Sequence, residues 1–249
     1  DGADSFVFDG AGSLSGNLVG DGSGNDGSDG ADSLDLSRLG TALTWNISGV
    51  NTGTAADGGV FGLNFSEISH LVSGDGNDAF VLGDGDGVDG SVDAGAGDDT
   101  LDMSAWTANL TWAVTGDNSG TVADTLSFDF NAVENLVSGA GDDDVVFSAG
   151  RTVSGTIAGS GGHDTLDYSA YTTAVTFDRQ ARSATGVFGG AANGFAGIEG
   201  VTGGSAGDTL VGLDAGGTWH VTGADNAGLV DGSFAFGSME NLTGGPGDD

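Results

Sequence analysis

The chain has 249 residues, 51 of them Gly, with a single Pro, no Cys and a formal net charge of −33 at pH 7. Its four Arg face 37 carboxylates and there is no Lys, so no positive surface exists to collect phosphates, which argues against nucleic-acid and acidic-membrane partners and for a cation. The absence of Cys removes disulfides, thiol catalysis and Cys-ligated zinc.

The acidic residues are lopsided. Only Glu67, Glu134, Glu199 and Glu240 are Glu, whereas Asp, a turn and cap residue, supplies the rest. No apolar run approaches the ~18 residues of a membrane helix, and no basic-then-apolar leader opens the chain, so no membrane insertion is expected. The chain starts and stops inside a repeating pattern, as a segment of a longer array would.

Taken in chain order, four modules follow one another, approximately 1–73, 74–138, 139–203 and a partial 204–249. The apolar residue ahead of a Gly-rich turn recurs as Leu71, Leu136, Val201 and Leu242, at steps of 65, 65 and 41. A second anchor is Leu34 (DSLDLS), Leu101 (DTLDMS) and Leu166 (DTLDYS); a third is Trp45, Trp112, Phe177 and Trp219. Gly-rich turns fall near residues 74, 95, 116, 139, 160, 183, 204, 223 and 244, dividing a module into three coils of about 21–22 residues. The short stretches between turns, AFVL (79–82), LTWAV (110–114), LSFDF (126–130), DVVF (144–147) and AVTF (174–177), read as strands rich in Val, Phe, Trp and Thr. No segment carries helical apolar spacing free of Gly. The expected fold is all-β, a single elongated domain over 1–249, with each coil pairing in parallel with the next as a β-solenoid. Every third coil carries an Asn-containing turn, Val50–Gly53, Asp117–Gly120 or Asp225–Gly228, expected to close on itself.

The turns repeat a nine-residue pattern, G-G-x-G-x-D-x-U-x, U being a large apolar residue. Its sixth position is Asp4, Asp32, Asp78, Asp99, Asp143, Asp164, Asp208 and Asp249; its eighth is Phe6, Leu34, Phe80, Leu101, Val145, Leu166 and Leu210. This pattern resembles the RTX, or haemolysin-type, calcium-binding repeats of very large secreted and surface-attached bacterial proteins. The wider module, with its NLxGGxGDD, GxxxxGxIxGGxGxDTLDYS and TWxVTGADNAG stretches, looks like the long arrays of giant bacterial adhesin-like polypeptides, and the likeness covers essentially the whole chain.

The resemblance implies that the eight aspartates are Ca²⁺ ligands together with turn carbonyls. That suits a hard cation taking six to eight oxygens at about 2.3–2.6 Å. It also implies a right-handed parallel β-helix, the eighth-position residue turned inward as a core rung. Asp78 and Asp99, like Asp143 and Asp164, are 21 residues apart and Asp4 and Asp32 are 28 apart, so each pair is expected to stack on one edge, giving three inter-coil sites. The sequence departs from the family where His163, Ala206 and Pro246 interrupt the motif, and because it carries about one nonapeptide per coil instead of a direct tandem.

The bland reading of each turn is an Asp that caps backbone N–H groups. His70, His163 and His220 occupy unrelated positions, which suits neither catalysis nor zinc. Trp45, Trp112 and Trp219 read as core rungs, Glu134, Glu199 and Glu240 as structural elements of a coil, and Arg179 with Arg182 as surface partners of Asp. The expected function is therefore not enzymatic: a calcium-binding structural segment of a secreted or cell-surface bacterial protein, an adhesin stalk or extracellular filament that folds and stiffens on Ca²⁺ outside the cell. Its partners would be calcium ions and neighbouring copies or a continuation of the array. The alternatives are a metal-independent self-assembling filament subunit and a β-helix carbohydrate-binding or carbohydrate-active module.

Overall fold

A computed structural model describes residues 2–10, 14, 16–20, 31–187, 194–222 and 225–245. Among these there is no helix. The strands are β1 (Ser5–Val7), β2 (Asn17–Val19), β3 (Ser33–Asp35), β4 (Thr44–Gly49), β5 (Thr52–Ala56), β6 (Gly62–Ser66), β7 (His70–Val72), β8 (Ala79–Leu82) and β9 (Ser91–Asp93). Next come β10 (Thr100–Asp102), β11 (Thr111–Gly116), β12 (Ser119–Ala123), β13 (Ser127–Asn131), β14 (Asn135–Val137), β15 (Asp144–Phe147), β16 (Ile157–Ala158), β17 (Thr165–Asp167) and β18 (Thr176–Asp178). The last are β19 (Ser183–Ala184), β20 (Phe195–Ala196), β21 (Gly200–Thr202), β22 (Thr209–Val211), β23 (Trp219–Val221), β24 (Gly228–Val230), β25 (Phe234–Gly237) and β26 (Asn241–Thr243). The five stretches named from sequence all contain strand.

The chain divides into two compact units, Asp1–Thr107 with Ser119–Val137, and Ala108–Asn118 with Ser138–Asp249. In the first, one sheet runs β1-β3-β7-β9-β13-β12 and a second β2-β6-β5-β4-β8-β10-β14. In the second, one sheet runs β11-β15-β17-β21-β25-β24-β23, another β19-β18-β22-β26, and β16 pairs with β20. Most pairings are parallel between strands distant in sequence, which is the solenoid-like arrangement the repeat leads one to expect.

The three sequence anchors fall into common rows, since residues one strand apart in register stack at the same depth. In the first unit Trp45, Phe80, Leu101 and Leu136 are successive partners, all buried. In the second, Trp112, Val145, Leu166, Val201 and Phe236 form the equivalent row. Trp45 stacks on Phe80 with ring centroids 5.4 Å apart. Of the eighth-position residues, Leu34, Phe80, Leu101, Val145, Leu166 and Leu210 are buried and Phe6 is half-buried.

The uniform three-coil module does not form. Strands β4, β5 and β6 make an antiparallel triplet, as do β23, β24 and β25, so each is an excursion from the stack and not a coil. The cause lies in the Asn-containing turns: Asn51, Asn118, Asp225 and Asn226 adopt φ of 57°, 53°, 50° and 51°, the left-handed conformation that tightens a reversal and that Asn and Asp tolerate. Gly53 completes the first triplet, because a Cβ there would stand 2.3 Å from Asn46 O and 2.9 Å from the Phe65 ring. These turns do close on themselves, and in doing so convert the expected third coil into a hairpin.

Candidate functional site: a ladder of buried carboxylates

Asp32, Asp78, Asp99, Asp143, Asp164 and Asp208 are buried, Asp4 is exposed, and Asp249 lies outside the described residues. The three expected pairs are brought together. The N–H of Asp4 donates to Asp32 Oδ1 at 2.8 Å, that of Asp78 to Asp99 Oδ1 at 2.6 Å, and that of Asp143 to Asp164 Oδ1 at 2.8 Å. Each carboxylate therefore accepts from the backbone one rung back.

The ladder extends at both ends of the Asp78/Asp99 and Asp143/Asp164 pairs, and on both sides of Asp208. Leu43 N–H donates to Asp78 Oδ1, Leu110 N–H to Asp143 Oδ1 and Val175 N–H to Asp208 Oδ1, at 2.6–2.7 Å. At the other end Glu134, Glu199 and Glu240 present Oε2 to the N–H of Asp99, Asp164 and Asp208. The recurring Glu thus supplies the final acceptor, while Asn135 and Asn241 donate Nδ2 to the carbonyls of Asp99 and Asp208. Buried backbone donors need such partners wherever a turn breaks the strand ladder.

The rungs are of two kinds. Around Asp78, Asp143 and Asp208 both carboxylate oxygens are engaged: Ser73 Oγ–H donates to Asp78 Oδ2, and the N–H groups of Gly139 and Gly204 donate to Oδ2 of Asp143 and Asp208. Trp45 and Trp112 continue the network, their Nε1–H donating to Ser73 and Ser138 Oγ at 3.0 and 2.7 Å. In the third module Phe177 replaces Trp and Gly203 replaces Ser, so donor and acceptor disappear together.

Around Asp99 and Asp164 the second oxygen, Oδ2, is buried without a hydrogen-bond partner. Two substitutions explain it. The residue five positions back is Ala94 or Gly159 in place of Ser, and the residue four back, Gly95 (φ 93°) or Ser160 (φ 72°), is left-handed and makes no bond to that oxygen. Burial first, then the neighbouring carboxylates, raises both groups to about 7; for Asp99 the neighbours are Asp78, Glu134 and Asp98, for Asp164 they are Asp143, Glu199 and Asp142. Asp78 and Asp143 are also raised, by burial, against the lowering effect of their donors. Exposed Glu240 is held below its usual range, chiefly by the Asp208 N–H.

A second ladder of opposite sense runs beside the first on exposed side chains. Asp98 N–H donates to Asn77 Oδ1 and Asn135 Nδ2 to Asp98 Oδ1; Asp142 N–H donates to Asn109 Oδ1 and His163 N–H to Asp142 Oδ1.

No group of three or more His, Asp or Glu side chains is placed to hold a metal ion among the described residues, so a cation at a turn would draw on backbone carbonyls as well. The saturated carboxylates fit that role poorly. Asp99 and Asp164 fit it better, since each keeps one oxygen unused, and beside that of Asp164 there is no room for a side chain at Gly159, whose Cβ would fall 2.3 Å from Oδ2.

His70 Nδ1 lies 2.8 Å from Ser91 Oγ. Trp45 and Trp112 are fully buried, while Trp219 is half-buried. Arg179 pairs with Asp231 at 3.4 Å and lies over the Phe234 ring, so it is a packed residue more than a surface one. Compared with known protein families, curated proteins and solved structures, the chain matches none.

Proposed function

We propose that the chain is a structural repeat segment of a secreted or cell-surface bacterial protein, a right-handed parallel β-helix in which stacked aspartates bind calcium and set the rigidity of the stack. The observation that carries this reading is the recurrence, 65 residues apart, of a buried carboxylate oxygen with no partner, at Asp99 and Asp164. A charged carboxylate so placed is costly unless a proton or a cation compensates it. Calcium, if bound there, would supply the compensating positive charge. The protein's own part is to hold Oδ1 of each group on the neighbouring backbone and keep Oδ2 open. High calcium outside a cell would then stabilise the folded stack by mass action, and low calcium inside would leave it weaker.

The saturated rungs at Asp78, Asp143 and Asp208 favour a second reading, in which packing and backbone acceptance hold the stack without metal. Circular dichroism and thermal melting with a calcium titration, a magnesium control and a chelator separate the two. The calcium reading expects a calcium-specific rise in melting temperature that Asp99→Asn with Asp164→Asn abolishes while the β-spectrum persists. A melting temperature independent of calcium would overturn it in favour of the metal-free stack.

A further inference from the structure

Away from the carboxylate ladder, the first unit carries an open depression of about 400 Å³ on the outward face of β5 and β6, walled by Leu14 and Gly16. We infer that this depression binds an uncharged oligosaccharide. The inference adds a ligand to the calcium reading and does not depend on it.

Strand alternation makes the site. Gly53, Ala55, Leu63 and Phe65 are buried, so Thr54, Ala56, Gly62 and Asn64 lie on the outward face. The register sets Thr54 against Asn64 and Ala56 against Gly62. One half of this patch is therefore polar and the other has almost no side chain. A Cβ at Gly62 would meet only Ala56 Cβ, at 3.9 Å, and that missing bulk is the floor of the depression. Leu14, 40% exposed, gives it an apolar wall.

The lining decides the chemistry of the ligand. A cavity of this size is at the lower end of the ~300–1,000 Å³ that small-molecule sites occupy, so it admits sugar rings and not a folded partner. Carboxylates make up 37 of the 249 residues, yet none lines it. Asp57, next in sequence to Ala56, turns Oδ1 onto the N–H groups of Gly59 and Phe61 instead. A cation would find no carboxylate there and an anion no base, so the ligand that fits is neutral. An apolar ligand would leave Thr54 and Asn64 without partners. A hydroxyl and an amide each donate and accept, as the hydroxyls of a sugar require, while Leu14 and Ala56 suit its C–H face.

The polar half continues across the sheet. Asn17, Asn64, Thr54 and Asn46 are successive partners, and the three Asn are exposed. Strands about 4.8 Å apart make this a row of roughly 14 Å. Asn64 Nδ2 donates to Asn17 Oδ1 at 3.3 Å, which orients both amides and leaves Asn64 Oδ1 to accept and Asn17 Nδ2 to donate. Such a row suits a linear chain of sugars more than a single ring.

Titration calorimetry on the whole chain, with maltotriose, cellotriose and mannotriose as neutral probes and trigalacturonate as the charged counter-probe, tests the site. At least one neutral trisaccharide is expected to bind, and trigalacturonate is not. Thr54→Val exchanges the hydroxyl for a methyl group and should weaken that binding about tenfold. Gly62→Leu fills the depression from a position with open space around it, and should abolish binding with the β-spectrum and melting temperature unchanged. Because the calcium reading is judged by melting temperature and this one by sugar binding to the folded chain, either can fail alone. Binding of none of the neutral probes, equal binding of trigalacturonate, or an unchanged affinity in Gly62→Leu would overturn the inference.

Discussion

The turns around Asp78 and Asp99 lie one strand apart and share the same aspartate, the same depth and the same Oδ1 bond to the preceding backbone, yet one is saturated and the other is not. The difference comes from two neighbours. Ser73 and Gly74, which is not left-handed, complete the first carboxylate, whereas Ala94 and a left-handed Gly95 leave the second with an open oxygen. The same contrast returns at Asp143 and Asp164. A repeat can thus keep one motif residue constant and alternate its task, one rung as a structural acceptor and the next as a group that needs a proton or a cation.

The largest expected effect is at the saturated rung. Asp78→Ala or Asp143→Ala removes the acceptor of a buried N–H and of the turn donors at once, and should cost about 3 kcal/mol or more, read by chemical denaturation. Next comes pH. Asp99 and Asp164 hold protons in the folded chain up to about pH 7, whereas the unfolded chain releases them near the ordinary value of 3.8. The folded state therefore binds more protons across that window, and stability in chelator should fall as pH rises from about 4 to 7. Asp99→Asn with Asp164→Asn, which keeps an oxygen for the Oδ1 bond and removes the charge, should flatten this slope; a slope unchanged in the double variant would place its origin elsewhere. Smaller still is the transfer of the missing serine. Ala94→Ser should supply Asp99 Oδ2 with the donor that Ser73 gives Asp78 and gain about 1 kcal/mol at pH 7. Gly159→Ser should lose stability, because its Cβ would fall 1.9 Å from Gly197 O and 2.3 Å from Asp164 Oδ2. Thermal melts of the two variants side by side test whether the open oxygen wants a donor or whether the space around it decides.

Much of this architecture was legible in the sequence because period and burial are both written in side-chain type. The anchors Leu71, Leu101 and Trp45 marked inward rows, and the spacing of Asp78 and Asp99 placed one over the other. The hairpin triplets were harder to see, since their cause is one left-handed Asn, or an Asp-Asn pair, in a chain already full of Gly and Asp, where one more turn residue carries little contrast. Glu134, Glu199 and Glu240 were visible as a recurrence, but their task depends on an N–H 32–35 residues earlier in sequence, which no local pattern reveals. The split between saturated and open rungs was legible only in part: Ser73 against Ala94 can be read from the alignment of modules, whereas the handedness of Gly95 cannot.

The least of the expected effects isolates that handedness. Ser160 occupies the position that Gly95 holds in the other unit, at φ 72°, where a side chain costs roughly 1–2 kcal/mol relative to glycine. Ser160→Gly should relieve that strain, but the unfolded chain gains freedom from the added glycine, which offsets about half of it; a net gain of about 0.5–1 kcal/mol follows. The open oxygen of Asp164 should keep its raised pKa, because the backbone stays left-handed and its N–H still points elsewhere. A higher melting temperature with an unaltered pH slope would separate the turn's strain from the carboxylate's protonation. A pH slope that vanished with the strain would mean that Ser160 itself governs the carboxylate, and the contrast between the two rungs would then rest on the side chain and not on the backbone.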